Sequence, residues 1–247
     1  RIAPASSKNR KKKTHRKRTS MTKMIVALDG MTYYEARERG ILAVLSKACE
    51  KRRIWGIKIS DMLYGGNAMK IISSLKDDYK FGIMVDVKLH DIPSTMENSI
   101  NKLVAAGANI VTVHCSSNFR PRRQELLKYL AGVTALTSFT NLEIKWIYDK
   151  NHPEIVRAFS DIALMNNYEY ILGSVKDFQM IDDNPLKKIC TGIRPSWYRE
   201  RHDQVRVASV KDALRVEADY IVIGRPIIQS GGITDAIEKV YEECEQA

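Results

Sequence analysis

Short apolar runs alternate along the chain with longer stretches whose apolar positions recur every three to four residues. The short runs are Met24–Leu28, Ile54–Ile59, Gly82–Leu89, Asn109–His114, Gly132–Leu136, Tyr168–Leu172, Lys188–Cys190 and Tyr220–Ile223. The longer stretches are Tyr33–Glu50, Ala68–Leu75, Thr95–Ala106, Arg122–Leu130, Pro153–Met165 and Val210–Val216, with a closing one at Thr234–Glu245. Brief runs bounded by turn residues predict buried strands, and the 3.6-residue period predicts amphipathic helices. Strands alternating with helices imply a parallel sheet. Eight such units within residues 21–247 predict an α/β fold, a single-domain (β/α)8 TIM barrel, whose usual size is about 250 residues. The alternative is an open doubly wound sheet. That fold usually opens on a glycine-rich turn. Here the first strand leads into Asp29-Gly30-Met31-Thr32, with no G-x-G-x-x-G pattern.

Charge alters this picture only at one end. The formal net charge is +11 over 247 residues. Residues 1–20, RIAPASSKNRKKKTHRKRTS, hold nine Lys or Arg and no acid, which leaves +2 for residues 21–247. That segment has almost no apolar content and no period, so disorder is expected. It starts without Met and Met21 follows it, so it is read as a basic leader of vector origin. A basic arm for nucleic acid is the rival reading. With no aromatic side chain to stack on bases, such an arm would act by charge alone, and nucleic acid is not the expected partner. Cys49, Cys115, Cys190 and Cys244 have no metal-ligand spacing, and no metal site is expected. Reduced thiols in a cytoplasmic protein are expected. No apolar run approaches the roughly 20 residues that cross a bilayer.

Barrel active sites lie at the C-terminal ends of the strands. Reading those ends gives Asp29, Lys58, Asp86 with Lys88, His114, Thr137 with Ser138, Gly192 with Arg194, and Gly224 with Arg225. Each follows an apolar strand interior. Asp86 and Lys88 are two apart, so in a regular strand they share one face, and Val85, Val87 and Leu89 face the other way. Asp91 follows just before Ile92-Pro93, where the chain should turn into a helix that Ser94 could cap. A structural ion pair is the plain explanation of Asp86 and Lys88. A buried pair gives little net stability, because desolvation offsets most of its attraction. Adding Lys58, Asp29 and Asp91 makes more charge than a fold needs. Late in the chain, Ile223-Gly-Arg-Pro-Ile227 offers a glycine for close backbone approach and an arginine fork suited to phosphate. The segment Thr191-Gly-Ile-Arg-Pro195 continues into SWYRERHDQVRV, a long polar connection of the kind that forms lids, with Gln204 as its uncharged donor.

Together these residues resemble the orotidine 5′-phosphate decarboxylase family, over about Met24 to Glu238. Asp86-Val-Lys88-Leu-His-Asp91-Ile-Pro is similar to that family's D-x-K-x-x-D-I-P signature. Ala27-Leu-Asp29, Lys58, Leu136-Thr-Ser138, Gly192-Ile-Arg-Pro195, Asp203-Gln204 and Ile223-Gly-Arg-Pro226 accompany it in order. The resemblance implies decarboxylation of orotidine 5′-monophosphate to uridine 5′-monophosphate (UMP) without metal or organic cofactor. It implies Lys88 as the proton donor to C6, Asp86 facing the substrate carboxylate, and Lys58 and Asp91 completing an alternating charge array. It implies Asp29 on the ribose, Thr137 or Ser138 at the pyrimidine edge, and Gln204, Gly224 and Arg225 on the phosphate, with Arg194 supporting that side. It implies a homodimer in which Asp91 and Thr95 cross the interface. The chain departs from the family at Ile59-Ser60-Asp61, where glycine is usual, and at Thr191, where proline is expected. The main rival is a related branch that acts on open-chain sugar phosphates with a magnesium ion, and Ile92-Pro93 favours the orotidine branch. A barrel kept only for dimer structure is the other rival, and the full charge set argues against it.

Overall fold

A computed structural model describes residues 21–181, 184–198 and 207–246. The basic segment 1–20 and Gln204 lie outside those residues. Eight parallel strands close into a barrel in sequence order. They are β1 Lys23–Ala27, β2 Gly56–Ile59, β3 Gly82–Leu89, β4 Ile110–His114, β5 Leu130–Val133, β6 Tyr170–Ser174, β7 Lys187–Thr191 and β8 Tyr220–Ile223. The helices are α1 Tyr33–Glu38, α2 Ile41–Glu50, α3 Ala68–Asp77, α4 Pro93–Ala105, α5 Asn141–Tyr148, α6 His152–Met165, α7 Val175–Gln179, α8 Val210–Arg215, α9 Arg225–Ile228 and α10 Ile233–Glu245. Among the described residues no helix is long and apolar enough to cross a membrane. None of the four cysteines is in a disulfide.

The strands alternate as a barrel requires. Met24, Val26, Ile57, Ile59, Ile83, Val85, Val111 and Val113 pack outward into the layer beneath the helices. Ile25, Ala27, Met84, Ile110, Ala131, Val133, Leu172, Ile189 and Val222 face inward and fill the interior. Trp55, Tyr170 and Tyr220 pack edge to face around the N-terminal mouth of the strands. The inward face is thus apolar below and turns ionisable only at the top, because Asp29, Lys58 and Asp86 continue the inward period past Ala27, Gly56 and Met84.

Several boundaries differ from the sequence pattern. Tyr33–Glu50 is not one helix. Gly40 sits at φ 70° between α1 and α2, a left-handed conformation that glycine takes without steric cost. Arg122–Leu130 is not an α-helix but a 3₁₀ segment, Gln124–Tyr129, and β5 already begins at Leu130. A Glu97 carboxylate holds the Arg122 and Arg123 N–H groups at 3.0 and 3.3 Å, and so fixes the approach to that segment from α4. The cap of α4 is Ile92, not Ser94, with Pro93 in the first turn, where its missing N–H costs nothing. Helices α5 and α7 were not visible as periodic stretches. Both start with a capping box, Thr140 with Glu143 and Ser174 with Asp177, in which two otherwise orphaned N–H groups are satisfied reciprocally.

Candidate active site

Four ionisable side chains meet at the C-terminal end of β1, β2 and β3. Lys58 is buried, and its Nζ donates to Asp29 Oδ1 at 2.7 Å and Oδ2 at 2.8 Å. The same Nζ lies 3.3 Å from Asp86 Oδ2, and Lys88 Nζ reaches that oxygen at 2.9 Å. Carboxylate and ammonium therefore alternate in the order Asp29, Lys58, Asp86, Lys88. Two cations converge on a single oxygen of Asp86. Pairing Ala27 with Lys58 across β1 and β2 sets the height of this array.

Alternation carries Asp86 inward two residues past Met84, but local backbone geometry aims Lys88. Val85 pairs with Val111 and Leu89 with Val113, so Asp86, Val87 and Lys88 lie opposite the single residue Thr112. This is a bulge, which re-aims side chains and increases local twist. Lys88 takes φ 47° within it. Left-handed backbone at a residue with a long side chain is uncommon and clusters at functional sites. Thr112 supports the arrangement. Its Oγ1 accepts the Lys88 N–H at 2.8 Å and donates to Asp86 Oδ1 at 3.0 Å. Nothing in the sequence pattern marked Thr112, because one buried threonine in a β-rich run looks like any other.

Burial alone would push Lys58 down, but the charges of Asp86 and Asp29 outweigh it and hold the ammonium above its ordinary pKa. Burial would raise Asp86, but Lys58 and Lys88, with hydrogen bonds from Lys88 and Thr112, hold its carboxyl below the usual range. Both groups are therefore charged at neutral pH. Behind them, burial drives His114 down to about 4, with the nearby His90 and Lys88 adding to the effect. His114 is a neutral imidazole stacked on His90 at 5.6 Å, and its Nδ1 lies 2.6 Å from Ser116 Oγ.

A cavity of about 930 Å³ stands above the array. Its wall includes Asp29, Lys58, Asp86, Lys88, Thr137, Ser138, Arg194, Gly224 and Arg225. Nine of the twelve residues to which the family resemblance gives a role thus share one space. Arg39 and Gln229 also line it and were not anticipated. Asp91 and Thr95 do not line it. Both are exposed, and the Asp91 carboxylate accepts the next residue's N–H, from Ile92, at 2.6 Å. The Asp61 departure has a structural role: its Oδ2 accepts the Gly30 N–H at 3.0 Å, tying the turn after Asp29 to the segment after β2. Gly30 is left-handed there, at φ 76°. Among the described residues no cluster of three His, Cys, Asp or Glu could hold a metal ion.

A family model described as orotidine 5′-phosphate decarboxylase / HUMPS matches residues 22–240. A curated relative named orotidine 5′-phosphate decarboxylase, from Campylobacter jejuni subsp. doylei, is 31% identical over 233 residues, covering 90% of this chain and 99% of its own. One of the same name from Campylobacter lari is 30% identical over 231 residues, covering 89% and 98%. Among solved structures, the orotidine 5′-phosphate decarboxylase of Lactobacillus acidophilus superposes with a TM-score of 0.73 at 22% identity, over 91% of this chain and 99% of that one. The orotidine 5′-monophosphate decarboxylase of Methanocaldococcus jannaschii, complexed with the inhibitor BMP, gives 0.66 at 19% identity, over 90% and 98%. At those identities the structural likeness supports the fold.

Proposed function

Because this chain belongs to the orotidine 5′-phosphate decarboxylase / HUMPS family, we propose that it is a carboxy-lyase that converts orotidine 5′-phosphate to UMP and carbon dioxide. The observation that carries the reading is the alternating array Asp29, Lys58, Asp86, Lys88 on the floor of the cavity. The C6–carboxylate bond breaks with its electron pair left on C6, and carbon dioxide departs. That carbanion lies in the ring plane, where the ring delocalises it poorly. Without a cofactor to accept the pair, the protein must stabilise it by charge placed in advance. Lys88 lines the cavity, and its ammonium bonds Asp86, whereas Lys58 lies between the carboxylates of Asp29 and Asp86. Lys88 transfers a proton to C6, becomes a neutral amine and recovers its proton from water. Lys58 stays charged and fixes both carboxylates.

Asp86 faces the substrate carboxylate in this scheme. Two like charges about 4 Å apart at an effective dielectric of about 20 repel by roughly 4 kcal/mol. Enzymes supply about 8–23 kcal/mol. Repulsion alone falls short, so most of the effect must come from stabilising the developing carbanion. Phosphate held by Arg225, Gly224 and Gln204 supplies binding energy remote from the reacting bond, which orients the ring. Asp29 holds the ribose and Thr137 or Ser138 meets the pyrimidine edge. Asp91 and Thr95 serve the site of a second copy in a homodimer, which accounts for their exposure here. The free thiols support a cytoplasmic setting.

The test is turnover of orotidine 5′-phosphate by the purified protein in excess chelator, followed by ultraviolet absorbance and by UMP on chromatography. Chelator-insensitive conversion is expected. Absence of UMP, or activity restored only by magnesium, would move the chain to the sugar-phosphate branch of its family.

A further inference from the structure

The cavity carries more positive charge than the chemistry at C6 uses, and the surplus is arginine. Lys58 and Lys88 balance Asp29 and Asp86. The other ionisable residues on the wall are Arg39, Arg194 and Arg225. A nucleoside monophosphate with one ring carboxylate brings close to three negative charges at neutral pH, up to two of them on phosphate. Arg194 and Arg225 stood out in the sequence. Arg39 did not, since it lies in the middle of an amphipathic stretch.

The fold explains how Arg39 comes to the cavity. β1 pairs with β8, Val26 against Ile223, so the two strands end side by side. A Cβ at Gly224 would lie 3.3 Å from the Cβ of Ala27. The connection leaving β1 therefore stands beside the turn that carries Gly224 and Arg225. In that connection, α1 is pinned at its start by the Thr32–Glu35 capping box and ends at Arg39, whose N–H bonds back to Glu35. Left-handed Gly40 then turns the chain down into α2. The corner leaves the Arg39 side chain on the cavity wall with Gly224, Arg225 and Gln229. Among the described residues the Arg39 guanidinium has no hydrogen-bonding or ion-pair partner. Its one electrostatic neighbour is Glu35, whose carboxylate is already taken by the Thr32 N–H and hydroxyl.

We propose that Arg39 is a second phosphate-binding arginine, closing on the substrate's phosphate from the β1 side while Arg225 holds it from the β8 side. The inference rests on the function proposed above. A guanidinium matches two phosphate oxygens at once, and such charge-assisted bonds are the stronger ones. An exposed arginine without a partner breaks no ion pair within the protein when it takes the ligand, and the charged phosphate offsets its lost hydration.

The test compares UMP with uridine by calorimetric titration of the wild type, Arg39→Ala and Arg39→Lys. The ratio of UMP affinity to uridine affinity should fall about tenfold in Arg39→Ala, the size of one charge-assisted contact. Arg39→Lys should fall less, because it keeps the charge and loses the fork. A purely structural role would weaken both ligands together and leave the ratio unchanged, and that result would overturn the proposal. So would a wild-type protein with no preference for UMP. Failure of the parent reading shows separately, as wild-type protein that binds UMP in preference to uridine but does not turn over orotidine 5′-phosphate.

Discussion

Thr112→Val isolates the device that aims the charge array. The substitution keeps shape and removes one hydroxyl. In the fold that hydroxyl serves two groups at once, accepting from Lys88 N at 2.8 Å and donating to Asp86 Oδ1 at 3.0 Å. Thr112 is fully buried, so water does not replace it at the same position without rearrangement. An unsatisfied buried group costs about 1–3 kcal/mol. Asp86 retains its two lysines, so its share lies at the low end. The Lys88 N–H loses its acceptor inside a left-handed turn, so its share lies higher. Together the loss is about 2–4 kcal/mol. The bulge should relax, and displacement of Asp86 and Lys88 by even about 1 Å can lower turnover roughly 100-fold. Urea unfolding and steady-state turnover would be measured on the wild type, Thr112→Val and Thr112→Ser. Thr112→Ser keeps the hydroxyl and should retain most activity, with a modest packing loss. A Thr112→Val protein with stability within about 0.5 kcal/mol of wild type and full turnover would refute the reasoning, since it would mean the bulge holds without the hydroxyl.

Other consequences follow from the same geometry. His114 is held near 4 in the fold against about 6.5 unfolded, so the unfolded chain binds the extra proton between those values. Stability then falls as pH drops from about 6.5 to 4, by up to roughly 3 kcal/mol, and His114→Asn should remove that part of the slope in urea melts. Asp61→Ala removes the acceptor of the Gly30 N–H, which should cost about 1 kcal/mol and raise KM several-fold by loosening Asp29, with kcat less affected. A slope in kcat with unchanged KM would contradict that assignment. Gly132→Ala would push a Cβ to 2.8 Å from Cys115 Sγ and 2.9 Å from Ala163 Cβ, overpacking worth about 1–3 kcal/mol and visible as a lower midpoint. Mixing Lys88→Ala with Asp91→Ala protein should restore about a quarter of wild-type activity, because half the random dimers carry one complete site. No recovery on mixing, with both proteins dimeric, would place Asp91 outside the partner's site.

The barrel was legible because each strand announces itself as a short apolar run, and β3 and β8 fall where the pattern put them. The ionisable ends were legible because an inward face that carries Ile25 and Ala27 and then Asp29 has no packing reason to end in charge. Helix ends were less so. Gly40 divides one periodic stretch into α1 and α2 because its φ of 70° changes direction without changing the hydrophobic period. The five residues of α7 are too few to show a period at all, and only the capping pair Ser174 and Asp177 signals them. Pairing register is a tertiary property, so the bulge opposite Thr112, and with it the actual orientation of Lys88, could not be read from spacing. The same holds for Arg39, which reaches the cavity only because β1 and β8 close the barrel.

In the proposed mechanism Lys88 delivers the proton that replaces the departing carboxylate. The direct measurement is turnover of orotidine 5′-phosphate by Lys88→Ala beside the wild type, with UMP affinity measured on both. In Lys88→Ala, kcat should fall by at least about 10⁴-fold, the scale of a lost general acid together with its charge, while UMP affinity stays within about tenfold of wild type. A Lys88→Ala protein that binds UMP normally and decarboxylates within tenfold of the wild-type rate would contradict that mechanism, and the proton donor would have to be sought elsewhere in the array.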